Sequence, residues 1–272
     1  MSVIRIENLT RDYGSGKGVF NVSFHVTQGE AFGFLGPNGA GKTTTIRHLM
    51  GFLKPQSGIC MIDGLDCWKD SDKIQLRLGY IPGEISFFDD MTGMEFLKFI
   101  TSYRKIGESN RQRELLERFE LDPKGKIKKM SKGMKQKIGI VTAFMHDPDI
   151  LILDEPTSGL DPLMQSRFID LIGEEKERGK TILLSSHMFE EVERTCDRIG
   201  IIRDGRLVAV DSVEALRERH VRPYTVTLEN IELAKAFAED FGGVQNGVTV
   251  TVTTKQNLEE IFMHYYGGEK ND

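Results

Sequence analysis

Gly36-Pro37-Asn38-Gly39-Ala40-Gly41-Lys42-Thr43-Thr44 lies between two stretches of different character. Ahead of it, Ala31-Phe32-Gly33-Phe34-Leu35 is a short apolar run that reads as a buried strand. Behind it, Thr44-Thr45-Ile46-Arg47-His48-Leu49-Met50 reads as a helix. Strand, glycine-rich turn, Gly-Lys-Thr and helix make the context of a phosphate-binding loop. Gly36, Gly39 and Gly41 are expected to take backbone angles closed to other residues. Successive N–H groups of the turn, which Pro37, Asn38 and Ala40 complete, would then point inward as an anion nest. The helix that starts near Lys42 points the positive end of its dipole at the same place. Lys42 offers an ammonium to the β- and γ-phosphates, Thr43 a hydroxyl to Mg²⁺, and Thr44 another to a phosphate oxygen.

A second signal lies in Asp149-Ile150-Leu151-Ile152-Leu153-Asp154-Glu155-Pro156. Its aliphatic centre predicts a strand buried on both faces, with two carboxylates at its C-terminal end. In open parallel sheets that edge is where ligands bind. Asp154 is placed to hold Mg²⁺, directly or through water, and Glu155 to take a proton from an attacking water. The plainer reading is an acidic helix N-cap; the phosphate loop upstream weighs against it. Thr181-Ile182-Leu183-Leu184-Ser185 is another buried strand, and Ser186-His187 falls at the same sheet edge. His25, His48, His146, His220 and His264 read as structural or solvent-facing.

The chain has 272 residues, 39% hydrophobic and 28% charged, enough for one large domain with an appendix. A net charge of −5 gives no case for nucleic acid as a partner. Cys60, Cys67 and Cys196 are too scattered for a disulfide framework or a metal-ligand spacing, which suggests a reducing compartment. The N-terminus does not read as a signal peptide, and no apolar run is long enough for a membrane span. A soluble chain, or one held at a membrane through a partner, is expected.

The fold expected is α/β. Val3–Leu9 and Val22–Val26 alternate as antiparallel-type strands, with Tyr13 following the first. Thr92-Gly93-Met94-Glu95 is a capping box ahead of Phe96, Leu97, Phe99, Ile100 and Tyr103 at helical spacing. Nothing from Asp89 to Lys129 reads as a strand, so a helical insertion is expected there. Met134, Ile138, Val141 and Met145 form an apolar stripe read as core. The seven lysines from Lys124 to Lys137 read first as a solvated face. From Val221 the pattern resets into a small α+β appendix, with Asn246-Gly247 as its hairpin turn.

Together these motifs resemble the ATP-binding subunit of an ABC transporter, from Val3 to about Arg219 and in family order. Met130-Ser131-Lys132-Gly133-Met134-Lys135-Gln136-Lys137 resembles the family signature at the start of a helix. Ser158-Gly159-Leu160-Asp161 resembles the D-loop, His187 the switch histidine, and Tyr13 the aromatic that stacks on adenine. The resemblance implies a P-loop NTPase core, a mixed sheet flanked by helices, with N-terminal antiparallel strands. It places the ATP-binding domain at residues 1–219, its helical subdomain at about 89–147 and an accessory α+β domain at 220–272. Two such domains would pack head to tail around two MgATP. Lys42, Thr43, Asp154, Glu155 and His187 would come from one chain, and Ser131 and Gly133 from the other. The lysines around Ser131 would then face a triphosphate.

The sequence departs from the family twice. Lys132 stands where the signature has its first glycine, to add a phosphate contact or to crowd the interface. Gly83 stands where the Q-loop has its glutamine, with Glu84 beside it as a substitute. The resemblance further implies a separate membrane permease, docked on the helical subdomain, and a second ATP-binding subunit, identical or not. It places the chain at the cytoplasmic face of the membrane. The segment Leu258–Gly267 is similar to the tail of drug and antibiotic-peptide exporters. Chromosome-maintenance relatives carry a long coiled coil between loop and signature, which Met50 to Met130 is too short to hold. Ribosome-acting relatives carry two ATP domains, and a P-loop kinase leaves the signature and His187 unexplained.

Overall fold

The alternation at Val3–Leu9 continues further than the sequence pattern suggests. In the computed structural model, β1 (Ser2–Gly14) pairs antiparallel with β2 (Lys17–Thr27) along almost its whole length. The residues described are 1–88, 90–105, 107, 110–219, 221–255 and 258–266. Asp89, His220, Asn257 and Gly267 lie outside them, as does the side chain of His264. The chain divides into two compact units, Met1–Val210 and Asp211–Asp272.

In the first unit β3 (Ala31–Leu35) is buried at every residue, as its apolar run predicts. The glycine-rich turn then leads into α1 (Lys42–Leu49). β4 (Ser57–Ile62) and β5 (Leu65–Asp66) fold back at Asp63-Gly64, and β4 pairs with β1. The first sheet therefore runs β2-β1-β4-β5. α2 (Ser71–Arg77) feeds β6 (Leu78–Ile81).

The helical segment follows as α3 (Gly93–Tyr103), α4 (Asn110–Arg118) and α5 (Lys132–Phe144). Thr92 and Glu95 form the expected capping box, each satisfying the other's backbone N–H. The stripe on α5 needs one correction. Ile138, Val141 and Met145 are buried, but Met134 is 36% exposed. It sits one turn before the helix meets α3, where Ile138 reaches the space over Gly93.

β7 (Ile150–Asp154), α6 (Pro162–Glu177), β8 (Thr181–Ser186), α7 (Phe189–Thr195), β9 (Arg198–Arg203) and β10 (Arg206–Ser212) complete the sheet. Asp161 caps α6 by accepting the Met164 N–H, with Pro162 in the first turn. The six-stranded order is β10-β9-β3-β8-β7-β6, and the pairs from β9 to β6 are parallel. The C-terminal ends of β3, β6, β7 and β8 thus share one edge. Ile46 and Leu49 of α1 join Ile4, Ile6 and Phe24 of the first sheet and Phe32 and Phe34 of the second in one core. Phe24 and Phe32 stack at 5.0 Å.

Buried ion pairs tie the helical segment to the sheet-packed helices. Glu175 of α6 is fully buried and is met by Arg111 of α4, by Lys180 at 2.7 Å and by Arg178 at 3.0 Å. A buried carboxylate is tolerated only when compensated this fully.

The second unit holds α8 (Val213–Arg219), β11 (Val221–Thr227), α9 (Ile231–Phe241), β12 (Val244–Asn246), β13 (Thr249–Lys255) and α10 (Leu258–Tyr266). Its sheet runs β11-β13-β12. Ser212 caps α8 through the Ala215 N–H, and Asn230 caps α9 through the Leu233 N–H. The hairpin turn differs from expectation by one residue. Asn246 pairs with Thr249, so the turn residues are Gly247 and Val248, and Gly247 takes the positive φ of 64°.

Candidate active site

The loop after β3 forms as its glycines predict at two positions and for another reason at the third. Gly39 and Gly41 take φ of 83° and 110°, in the left-handed region that side chains avoid. Gly36 does not. A Cβ on Gly36 would lie 2.6 Å from the Ile202 carbonyl oxygen, so glycine is required there by close packing against β9. Gly41 is the N-cap of α1, so the first turn of α1 receives no side-chain cap. Pro37, Asn38 and Ala40 complete the turn, and the Ala40 N–H closes on the Pro37 carbonyl at 3.2 Å. Lys42, only 5% exposed, donates to the Gly36 and Pro37 carbonyls at 2.5 and 3.2 Å. Thr44 uses its carbonyl to accept from His48 Nδ1, which places His48 as a buried structural residue.

β7 delivers its two carboxylates to the same edge. Asp154 is fully buried, Ser185 Oγ donates to its Oδ1, and its Oδ2 has no hydrogen-bond partner among the described residues. Burial pushes this carboxyl above its ordinary range, and the Ser185 and Thr43 hydroxyls pull against the rise. An orphaned carboxylate oxygen beside a threonine hydroxyl fits a hard cation that completes its shell with phosphate and water. The Asp154 and Thr43 pair therefore fits the Mg²⁺ expected of the motif.

Gly83 closes this corner. A Cβ there would lie 3.0 Å from Asp154 Oδ2 and 3.7 Å from Thr43 Oγ1. Glycine at the Q-loop position thus lets the loop after β6 approach the Asp154 carboxylate. Gly83→Gln is expected to lower ATPase activity about tenfold by displacing Asp154. Steady-state phosphate release checks this, and a rise in activity would show that the glutamine is merely missing. Glu84 is exposed but borders the same cleft of about 560 Å³, with Asn38, Thr43, Glu155 and His187.

Glu155 is held in an unusual backbone state, with φ of 49°. Its N–H is fixed by the Ser185 carbonyl at 3.0 Å. Strain of this kind persists where surrounding structure over-determines it. The carboxylate then has two partners: Lys42 Nζ lies 3.0 Å from Oε1, and His187 Nδ1 lies 2.5 Å from Oε2. Lys42 opens α1 after β3, Glu155 and His187 follow β7 and β8, and Glu155 lies within bonding distance of both of the others. The sequence pattern gives Ser185 and Ser186 no role of their own. Their signal was available, since two hydroxyls end an otherwise aliphatic buried strand.

Other expected residues lie elsewhere in this chain. Tyr13, near the end of β1, is 52% exposed, with the Arg11 guanidinium 5.3 Å from its ring centre. Ser131 caps α5 by accepting the Met134 N–H at 3.2 Å. Gly133 packs so closely on Gly159 that a Cβ would lie 2.6 Å from the Gly159 carbonyl oxygen. Lys132 donates to Ser158 Oγ of its own chain at 2.8 Å. Gln136 adds a buried bond to the Pro156 carbonyl at 2.6 Å. The start of α5 is thus seated on the segment that follows Glu155.

Residues 19–158 match the family model described as ABC transporter. The bacitracin transport ATP-binding protein BcrA of Bacillus licheniformis is 41% identical over 222 residues, covering 80% of this chain and 72% of that protein. The linearmycin resistance ATP-binding protein LnrL of Bacillus subtilis is 38% identical, over 80% of this chain and 71% of its own length. Among solved structures, the ATP-binding subunit of an ABC transporter superposes with a TM-score of 0.73 at 32% identity, over 80% of this chain and 92% of that one. Matched motifs, fold and relatives agree: the chain belongs to the ABC transporter family, as an ATP-binding, ATP-hydrolysing subunit.

Proposed function

We propose that this subunit dimerises around MgATP and that ATP hydrolysis powers a separate membrane permease, working in export. The observation that carries the reading is the meeting of Lys42, Glu155 and His187 at one sheet edge. In this mechanism the phosphate loop, Gly36 to Thr44, orients the triphosphate through its N–H groups, and Lys42 turns its ammonium to the terminal phosphates. Mg²⁺, held by Thr43 and Asp154, would neutralise phosphate charge when bound. Glu155 accepts the proton of the attacking water, and His187 Nδ1 holds that carboxylate in place. Ser131 and Gly133, at the start of α5, complete the site of the opposite subunit, and Tyr13 stacks on adenine. ATP is then the glue between subunits, and its hydrolysis lets them part.

Export is favoured by the names of the relatives, a bacitracin transport ATP-binding protein and a linearmycin resistance ATP-binding protein. No helix among the described residues is long and apolar enough to cross a membrane; the permease of this proposal is a separate chain. It would hold the subunit at the cytoplasmic face. The accessory role of residues 220–272 is part of the same proposal. Light scattering on Glu155→Gln, with and without MgATP, tests the dimer. A shift from monomer to dimer on MgATP is expected. A monomer that binds ATP but never pairs would count against the shared site.

A further inference from the structure

Glu191 has no part in the mechanism above, yet it is among the most deeply buried acids of the first unit, 1% exposed on α7. Ser186 Oγ donates to its Oε2 at 2.6 Å. The same hydroxyl accepts the Met188 N–H at 2.9 Å. Ser186 and Met188 are the residues on either side of His187. One buried carboxylate therefore anchors the backbone on both flanks of the histidine. Ser186 is itself fixed to the phosphate-loop strand, since its carbonyl accepts the Gly36 N–H at 3.4 Å. Glu191 Oε1 is buried without a hydrogen-bond partner among the described residues. Burial pushes the carboxyl up to about 7, against the pull of the Ser186 and Thr157 hydroxyls, and the Glu155 charge adds to the rise. An acid held under such a penalty needs a reason to be an acid-shaped acceptor at that point.

We propose that Glu191 is a positioning residue of the ATPase: acting through Ser186, it sets the backbone that presents His187 to Glu155. His187 is half exposed. Its 2.5 Å contact with Glu155 therefore depends on where the main chain puts it. Small misplacements of a group beside the reacting atoms cost large factors in rate. The inference rests on the reading of Glu155 and His187 as the hydrolytic pair.

A double-mutant cycle on the full chain tests it, read by kcat and KM for MgATP and by nucleotide affinity. Ser186→Ala removes the bridge with little change in volume. It is expected to lower kcat about tenfold, with KM within about twofold of wild type. Glu191→Gln keeps an oxygen to accept the Ser186 hydroxyl and should stay within about threefold of wild type, whereas Glu191→Ala should match Ser186→Ala. In a His187→Ala background, Ser186→Ala should change kcat by less than about twofold, since its target is gone. A full tenfold loss in that background would make Ser186 merely structural and overturn the proposal. So would unchanged kcat for Ser186→Ala where His187→Ala is impaired. If His187→Ala itself keeps wild-type kcat, the reading of the pair fails first and this inference with it.

Discussion

Glu155→Gln is expected to lower kcat by about 10²-fold or more while ATP binding persists. The substitution keeps the length and shape of the side chain, so the cleft beside Asn38 and Thr43 is not remodelled. The backbone at 155 is left-handed, with φ of 49°, and glutamine meets the same strain there as glutamate. What changes is chemical. The amide can still meet His187 Nδ1, but it cannot take a proton from water and it no longer pairs with Lys42. A hundredfold loss corresponds to about 2.7 kcal/mol of transition-state stabilisation, within reach of a lost general base. Loss of the ion pair leaves Lys42 free for phosphate, so nucleotide affinity should hold or rise. Steady-state phosphate release, with fluorescent-nucleotide titration alongside, separates the two effects. Turnover near wild type would remove Glu155 from the role of base.

The parts legible in the sequence were those dictated by local chemistry. A GxxxxGK[ST] spacing after an apolar run fixes a turn and a helix start, and Ala31–Leu35 and Lys42–Leu49 formed there. Thr92 and Asp161 announce helix starts because capping needs only residues three apart. The less legible parts depend on contacts between distant residues. Gly36 reads as conformational freedom in the sequence, but Ile202, far along the chain, makes it a matter of space. Nothing in the neighbourhood of Lys132 reveals that Ser158 lies within 2.8 Å of it. Gly83 read as a lost glutamine; its closeness to Asp154 makes it an accommodation. Glu191 is uninformative in the sequence, because glutamate is common and only burial marks it out.

Lys42→Ala should act on the other half of the cycle, weakening ATP binding by about 10²-fold. The ammonium is 5% exposed and bonded to the Gly36 and Pro37 carbonyls. It is thus preorganised inside the loop, with little entropy left to lose when phosphate arrives. Charge-assisted hydrogen bonds to a phosphate are each worth about 1.5–3 kcal/mol, enough for the predicted loss. A second contribution comes from Glu155. Its Oε1 lies 3.0 Å from Lys42 Nζ, and removing the cation leaves a partly buried carboxylate facing the negative charge of the triphosphate. At an effective dielectric near 20 such unscreened repulsion amounts to a few kcal/mol at close range. The two contributions separate in the pair of variants. If lost phosphate contacts dominate, Lys42→Ala with Glu155→Gln should bind ATP as weakly as Lys42→Ala alone. If the unpaired carboxylate dominates, the double variant should recover much of the affinity, measured by nucleotide titration. Wild-type affinity in Lys42→Ala itself would count against a phosphate role for this loop, because no other residue in it carries a positive charge.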